Sequence, residues 1–182
     1  SLPRHTNFFF NEDSYEKNTF KFIKSLDKNL LLNKTFLDIG SNIGIYSLFL
    51  KKNYNSKIII FEPDDNNLAL LYKTLKKNKS DNFSIFPFAL LGKISMHKFL
   101  IDNVTGFNGT LVQYSNNPHY STFVEKLELK EFKNVITIKL DDVNDLNLDD
   151  VSLVKIDTYG YEFEVISGMI NLIKKNLPII IV

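Results

Sequence analysis

Phe36-Leu37-Asp38-Ile39-Gly40-Ser41-Asn42-Ile43-Gly44 decides the fold of this chain. Thr35 to Ile39 is short and apolar, the pattern of a buried strand, and Gly40 stops it. Ile43 to Lys52 then reads as a helix. A strand, a glycine turn and a helix start place free N–H groups and a partial positive charge at one point. In open α/β sheets that point lies at the carboxyl end of a strand, where ligands bind. Gly40 permits the sharp turn and a close backbone approach, and Gly44 is expected to let the helix pack tightly on the strand.

Outward from this junction the same alternation repeats. Upstream, Phe20, Ile23, Leu26 and Leu30 recur at helical spacing, so residues 1–34 are expected to form an N-terminal helical extension. Downstream, Lys57 to Phe61 is a second strand, halted by Pro63, which cannot donate to a ladder. Asp64 or Asp65 can cap a helix that carries Leu68, Leu71, Tyr72 and Leu75. Phe83 to Phe88 is a third strand. Strands apolar throughout, separated by helices, predict a parallel sheet covered on both faces.

The pattern then changes. Ile94 to Ile101 and Val135 to Leu140 read as strands with no helix between them. Residues 102–134 hold Gly106, Gly109, Asn116, Asn117 and Pro118 and are expected to be loop-rich. Residues 94–140 therefore read as an insertion between the third and fourth core strands. Ser152 to Ile156 is the fourth. A helix from Gly160 to Lys175, buried through Phe163, Ile166, Ile170 and Ile173, and a strand from Ile179 to Val182 complete the order. The expected fold is one α/β domain over 1–182, a doubly wound and mostly parallel sheet. The chain starts at Ser1 and ends on an apolar strand pattern, so further strands, and part of the working site, are expected beyond Val182.

Composition narrows the partners. The chain has 182 residues with a net charge of +1, and Arg4 is its only arginine. Arginine is the preferred bidentate grip on phosphate and guanine, so nucleic acid is not an expected partner. Apolar runs reach only about six residues, too short to span a bilayer. No secretory signal opens the chain, and the expected compartment is the cytoplasm. Without cysteine, disulfides, thiol catalysis and cysteine-type zinc sites are excluded. Asp141-Asp142 and Asp149-Asp150 lack the spacing of a calcium loop, and no metal site is expected.

Glu62 ends the second strand, where an acid can accept from both hydroxyls of a ribose. With the glycine loop it reads as a nucleoside cofactor site. A dinucleotide fingerprint has a middle glycine where this chain has Asn42, and Asp38 would repel a pyrophosphate. It would not repel a sulfonium and an ammonium, which favours S-adenosylmethionine over NAD. Asp38, Gly40, Ser41, Asn42, Gly44 and Glu62 are the candidate cofactor residues, with Phe88 and Ala89 beside the adenine.

At these residues the chain resembles the FkbM-type methyltransferases. Phe36 to Ser47 is similar to their first motif and Phe61-Glu62-Pro63-Asp64 to their second. Ile138 to Val143 resembles the stretch ahead of their fourth core strand. Val154-Lys155-Ile156-Asp157-Thr158-Tyr159-Gly160-Tyr161-Glu162 resembles their most distinctive motif, usually K-I-D-V-E-G-x-E. The resemblance implies a Rossmann-like class I fold, S-adenosylmethionine as methyl donor, and transfer to a hydroxyl of a glycan or secondary metabolite. Tyr159 stands where the family usually has glutamate.

An alcohol acceptor needs its proton removed by a group within hydrogen-bond reach. Asp157, at the end of the fourth core strand, is the first candidate, and capping the next helix is its other possible role. Glu162 is the second; its alternative role is to complement the helix dipole. Tyr159 could contact the acceptor. Lys155, inside a buried strand, reads first as a paired structural lysine, and reaching the site is its other possible role. His97 falls within a strand, and His119 within a polar loop. Two other functions fit less of the pattern: a binding module that has lost catalysis, and an NAD(P)-dependent oxidoreductase.

Overall fold

The computed structural model describes residues 16–78, 81–101, 109–112 and 131–182. The helices are α1 (Lys17–Ser25), α2 (Ile45–Tyr54), α3 (Asp65–Lys77), α4 (Glu162–Ser167) and α5 (Ile170–Asn176). The strands are β1 (Thr35–Ile39), β2 (Lys57–Phe61), β3 (Phe83–Phe86), β4 (Ala89–Leu90), β5 (Ser95–Ile101), β6 (Thr110–Val112), β7 (Glu131–Ile138), β8 (Val151–Ile156) and β9 (Ile179–Ile181).

Five strands form an all-parallel sheet in the order β3-β2-β1-β8-β9. All five residues of β1 are buried because helices cover both faces. Side chains alternate between the two layers. Phe36, Ile58, Ile60 and Leu153 pack with α1, α2 and α3. Leu37, Ile39, Ile59, Phe61, Val154 and Ile156 pack with Val165, Met169 and Leu172 of the α4–α5 segment. Strand order reverses around β1, so the carboxyl ends of β1 and β8 open a crevice.

Several boundaries differ from the sequence reading for identifiable reasons. α1 ends at Ser25, and a short 3-10 turn at Lys28–Leu30, capped by the Asp27 carboxylate on the Asn29 N–H, shifts the phase. Leu31 is buried in consequence, and Leu30 is exposed. Asp64 rather than Asp65 caps α3, accepting from the Asn66 N–H at 2.8 Å. Tyr72 lies on the outer face of that helix.

The described part of the insertion holds more strand than its composition suggested. β4, β5, β6 and β7 form a second sheet, β4-β7-β5-β6, in which β5 runs antiparallel to β6 and β7. Residues 110–112 and 131–134, expected to be loop, belong to its strands. The single helix expected over 160–175 is broken in two. At Gly168 an added Cβ would lie 2.4 Å from the Leu91 carbonyl oxygen, so this turn needs the close approach. Beyond the break, Asp141 Oδ2 and Oδ1 accept from the N–H groups of Asn171 and Leu172 at 2.9 and 3.2 Å. A cap borrowed from 30 residues upstream thus restarts the helix. The break rotates the apolar stripe: Val165, Met169 and Leu172 are buried, whereas Phe163 and Ile170 are exposed.

Candidate active site

A cavity of about 450 Å³ lies at the carboxyl ends of β1, β2 and β8, with the second sheet as its far wall. Gly40, Ser41, Asn42, Glu62, Ala89, Asp157 and Tyr159 all line it. Asp38, Gly44, Phe88 and Glu162 are not among its lining residues.

The glycine loop is shaped by its neighbours. Gly40 has φ +71°, and an added Cβ would sit 2.0 Å from the carbonyl oxygen of Asp157. Its glycine requirement therefore comes from the approach of the segment after β8. Gly44 has φ +79° and abuts Leu71 of α3, 2.4 Å from where a Cβ would be. That corrects the expected packing of Gly44 on its own strand.

Glu62 is buried, with its carboxylate facing three donors. Oε2 accepts from the Asn42 N–H at 2.7 Å, and Oε1 from the Asp64 N–H at 2.9 Å and Asn67 Nδ2 at 3.4 Å. Burial pushes the carboxyl up to about 7 despite these bonds. Asp38 is wholly buried one layer below the cavity. Its Oδ2 accepts from Ser47 Oγ at 2.5 Å, and its Oδ1 has no hydrogen-bond partner among the described residues. Burial raises this carboxyl too, opposed chiefly by the charge of Lys155.

Asp157 is fixed by its backbone, whose N–H donates to Ile39 O at 3.0 Å. Its side chain is 46% exposed, and Oδ2 pairs with Lys155 Nζ at 3.0 Å. It makes no capping bond to α4 among the described residues. Glu162 instead organises the turn before that helix. Its Oε1 accepts from the Thr158 N–H (3.1 Å), the Thr158 hydroxyl (3.3 Å) and the Gly160 N–H (3.1 Å). The turn holds Tyr159 at φ 56°, in the left-handed region, within the cavity lining.

The polar lining also includes Lys155, for which the sequence reading preferred a structural role, and Tyr46, Asn67 and Glu16, which it did not assign to the site. Register could have found the first. Lys155 pairs with Asp38 across β1 and β8, so both project from the α2 face of the sheet. Tyr46, in the first turn of α2, lies under the ammonium, with the ring centroid 4.8 Å from Nζ. It stacks on Phe20 of α1 at 4.7 Å, and its hydroxyl donates to the Glu16 carboxylate. His97 is half-buried on β5 and absent from the lining, and His119 lies outside the described residues. Among the described residues no group of three or more histidine or acidic side chains gathers as metal ligands would.

Comparison with known proteins completes this picture. A family model for the methyltransferase FkbM domain matches residues 38–182, which include every candidate cofactor and catalytic residue named above. The chain belongs to the FkbM methyltransferase family. A curated relative, methyltransferase sdnD of Sordaria araneosa, is 29% identical over 168 residues. The match covers 78% of this chain and 62% of that protein's length. Among solved structures, precorrin-6y C5,15-methyltransferase from Geobacter metallireducens GS-15 aligns over 82% of this chain and 53% of its own, at 16% identity and TM-score 0.42. A SAM-dependent methyltransferase from Aquifex aeolicus aligns over 47% and 43%, at 22% identity and TM-score 0.34. Family membership sets aside the NAD(P)-dependent oxidoreductase considered from the sequence.

The methyl donor of FkbM methyltransferases is S-adenosylmethionine, and the residues present fit it. A carboxylate offers about four lone-pair sites, and three donors already engage Glu62, so capacity remains for a ribose hydroxyl. The cavity wall carries acids at Glu16, Glu62 and Asp157 and a cation at Lys155. That charge pattern suits a ligand with two positive groups and one negative. No helix among the described residues is long and apolar enough to cross a membrane.

Proposed function

We propose that this FkbM protein transfers a methyl group from S-adenosylmethionine to a hydroxyl of a neutral glycan or small-molecule acceptor. One observation carries the reading: Glu62, the glycine loop and Asp157 converge on one cavity where β1, β2 and β8 end. Glu62 would hold the ribose, Gly40 to Asn42 would lie along the cofactor, and Ala89 would stand beside the adenine. The bound cofactor would supply a methyl group already activated on a sulfonium. What remains for the protein is positioning and removal of the acceptor's proton.

Asp157 is the residue we assign to that proton. Its backbone anchor and its pairing with Lys155 limit its motion, and its half-exposed carboxylate meets the cavity. We assign Glu162 a positioning role, through the turn that presents Thr158 and Tyr159. Phe99, Leu111 and Tyr161, from the second sheet and the approach to α4, supply an apolar wall for the acceptor. A wall of this kind suits a neutral ring bearing hydroxyls. We place the reaction in the cytoplasm, where fractionation of producing cells would find the protein.

Isothermal titration with S-adenosylmethionine, followed by methyl transfer to a panel of neutral hydroxyl acceptors, tests the proposal. Saturable binding and turnover support it; a protein that binds no cofactor contradicts it. A second reading draws on Tyr159, a residue without carboxylate chemistry held at the cavity in a left-handed backbone conformation. In that reading the protein binds the cofactor without turnover, and Tyr159→Glu gains activity.

A further inference from the structure

Lys155 is the one cation among the described residues that line the cavity. Its side chain is only 8% exposed, and holding an ammonium there is costly unless its donors are used. An ammonium has three N–H donors. The described partners of Nζ are a single carboxylate oxygen, Asp157 Oδ2 at 3.0 Å, and the face of the Tyr46 ring. Asp38, its register partner on β1, acts on it as a charge, and no hydrogen bond joins the two among the described residues. Donor capacity therefore remains on the cavity side. Next to it, the Asp157 carboxylate is open to the same space. The wall thus presents an ammonium with unused donors, complementary to a carboxylate of the ligand.

We propose that Lys155 takes the α-carboxylate at the methionyl end of S-adenosylmethionine. The cofactor would then be anchored at both ends, by Glu62 after β2 and by Lys155 on β8. The inference rests on the cofactor reading above. Tyr46 is a positioning residue in this arrangement: its ring lies under the ammonium and is itself braced by Phe20 of α1. A helix outside the matched family domain thereby supports the cofactor's anchor.

The test compares S-adenosylmethionine with its decarboxylated analogue, which keeps the sulfonium and the ammonium and lacks only the carboxylate. Affinities are measured by isothermal titration for wild type, Lys155→Met and Lys155→Arg. Wild type is expected to prefer the intact cofactor by about tenfold, as one charge-assisted hydrogen bond would give. Lys155→Met should lose that preference by weakening the intact cofactor alone, and Lys155→Arg should keep part of it. Equal weakening of both ligands by Lys155→Met would make the lysine merely structural and overturn the proposal. Should Lys155→Met prove unfolded by circular dichroism, the wild-type comparison still decides, because equal affinities for the two ligands overturn it without any variant. A wild-type protein that binds neither ligand refutes the cofactor reading itself, an outcome distinct from equal binding.

Discussion

The backbone N–H of Asn42 donates to Glu62 Oε2 at 2.7 Å, which joins the glycine loop after β1 to the acid after β2. Asn42 has φ 54°, and that left-handed turn directs its N–H toward the neighbouring strand end. The loop and the acid are therefore one unit.

Its first consequence is a dependence on pH. Glu62 has an ordinary value near 4.5 when unfolded and about 7 when buried. Between these values the folded chain holds a proton that the unfolded chain has released. Stability is thus greatest below the lower value and falls as pH rises through the upper one, by about 3 kcal/mol in all. Urea unfolding at about pH 5 and about pH 8 should show this fall, and Glu62→Gln should reduce it. Asp38, also raised by burial, contributes in the same direction, so part of the slope should survive. Cofactor affinity should run the other way, rising about tenfold from pH 6 to pH 8 as the carboxylate forms to accept from a ribose.

Gly40 and Gly92 give a contrast. A Cβ at Gly40 would strike the Asp157 carbonyl oxygen at 2.0 Å in a left-handed backbone; at Gly92 nothing lies within 4 Å. Gly40→Ala should cost about 3 kcal/mol or more, while Gly92→Ala should stay within about 0.5 kcal/mol of wild type. Chemical denaturation of the two variants checks both values.

Much of this could be read from the sequence. Buried parallel strands are apolar throughout, so β1, β2 and β8 stand out against their helices, and the acid and glycines at their ends follow from strand order. What escaped reading depends on tertiary proximity. The break at Gly168 is set by the Leu91 carbonyl and by Asp141, neither of which is near in sequence. Lys155 looked structural because an isolated strand gives no hint that Asp38, Tyr46 and Asp157 surround it. Tyr46 owes its place to Phe20, from a helix with no motif.

Asp141 offers a direct test of the borrowed cap. Asp141→Ala removes the acceptor for the Asn171 and Leu172 N–H groups. The expected cost is about 1 kcal/mol, seen as a fall of about 2–4 °C in thermal midpoint. Asp142→Ala, which loses only an exposed pair with Lys139, should change the midpoint little.

Asp157→Asn separates proton removal from binding. Once an acceptor is in hand, kcat should fall by about 10²- to 10⁴-fold, the usual worth of a general base. Cofactor affinity measured by titration should change far less. An unchanged kcat would remove Asp157 from the reaction.

The central claim is that the cofactor lies against the loop at 40–42 with its ribose on Glu62. A crystal structure with S-adenosylhomocysteine tests it most directly. The account predicts the ribose hydroxyls within hydrogen-bond distance of the Glu62 carboxylate and the amino acid end beside β8. A bound nucleoside elsewhere on the protein, with Glu62 still engaged only by Asn42, Asp64 and Asn67, would contradict it.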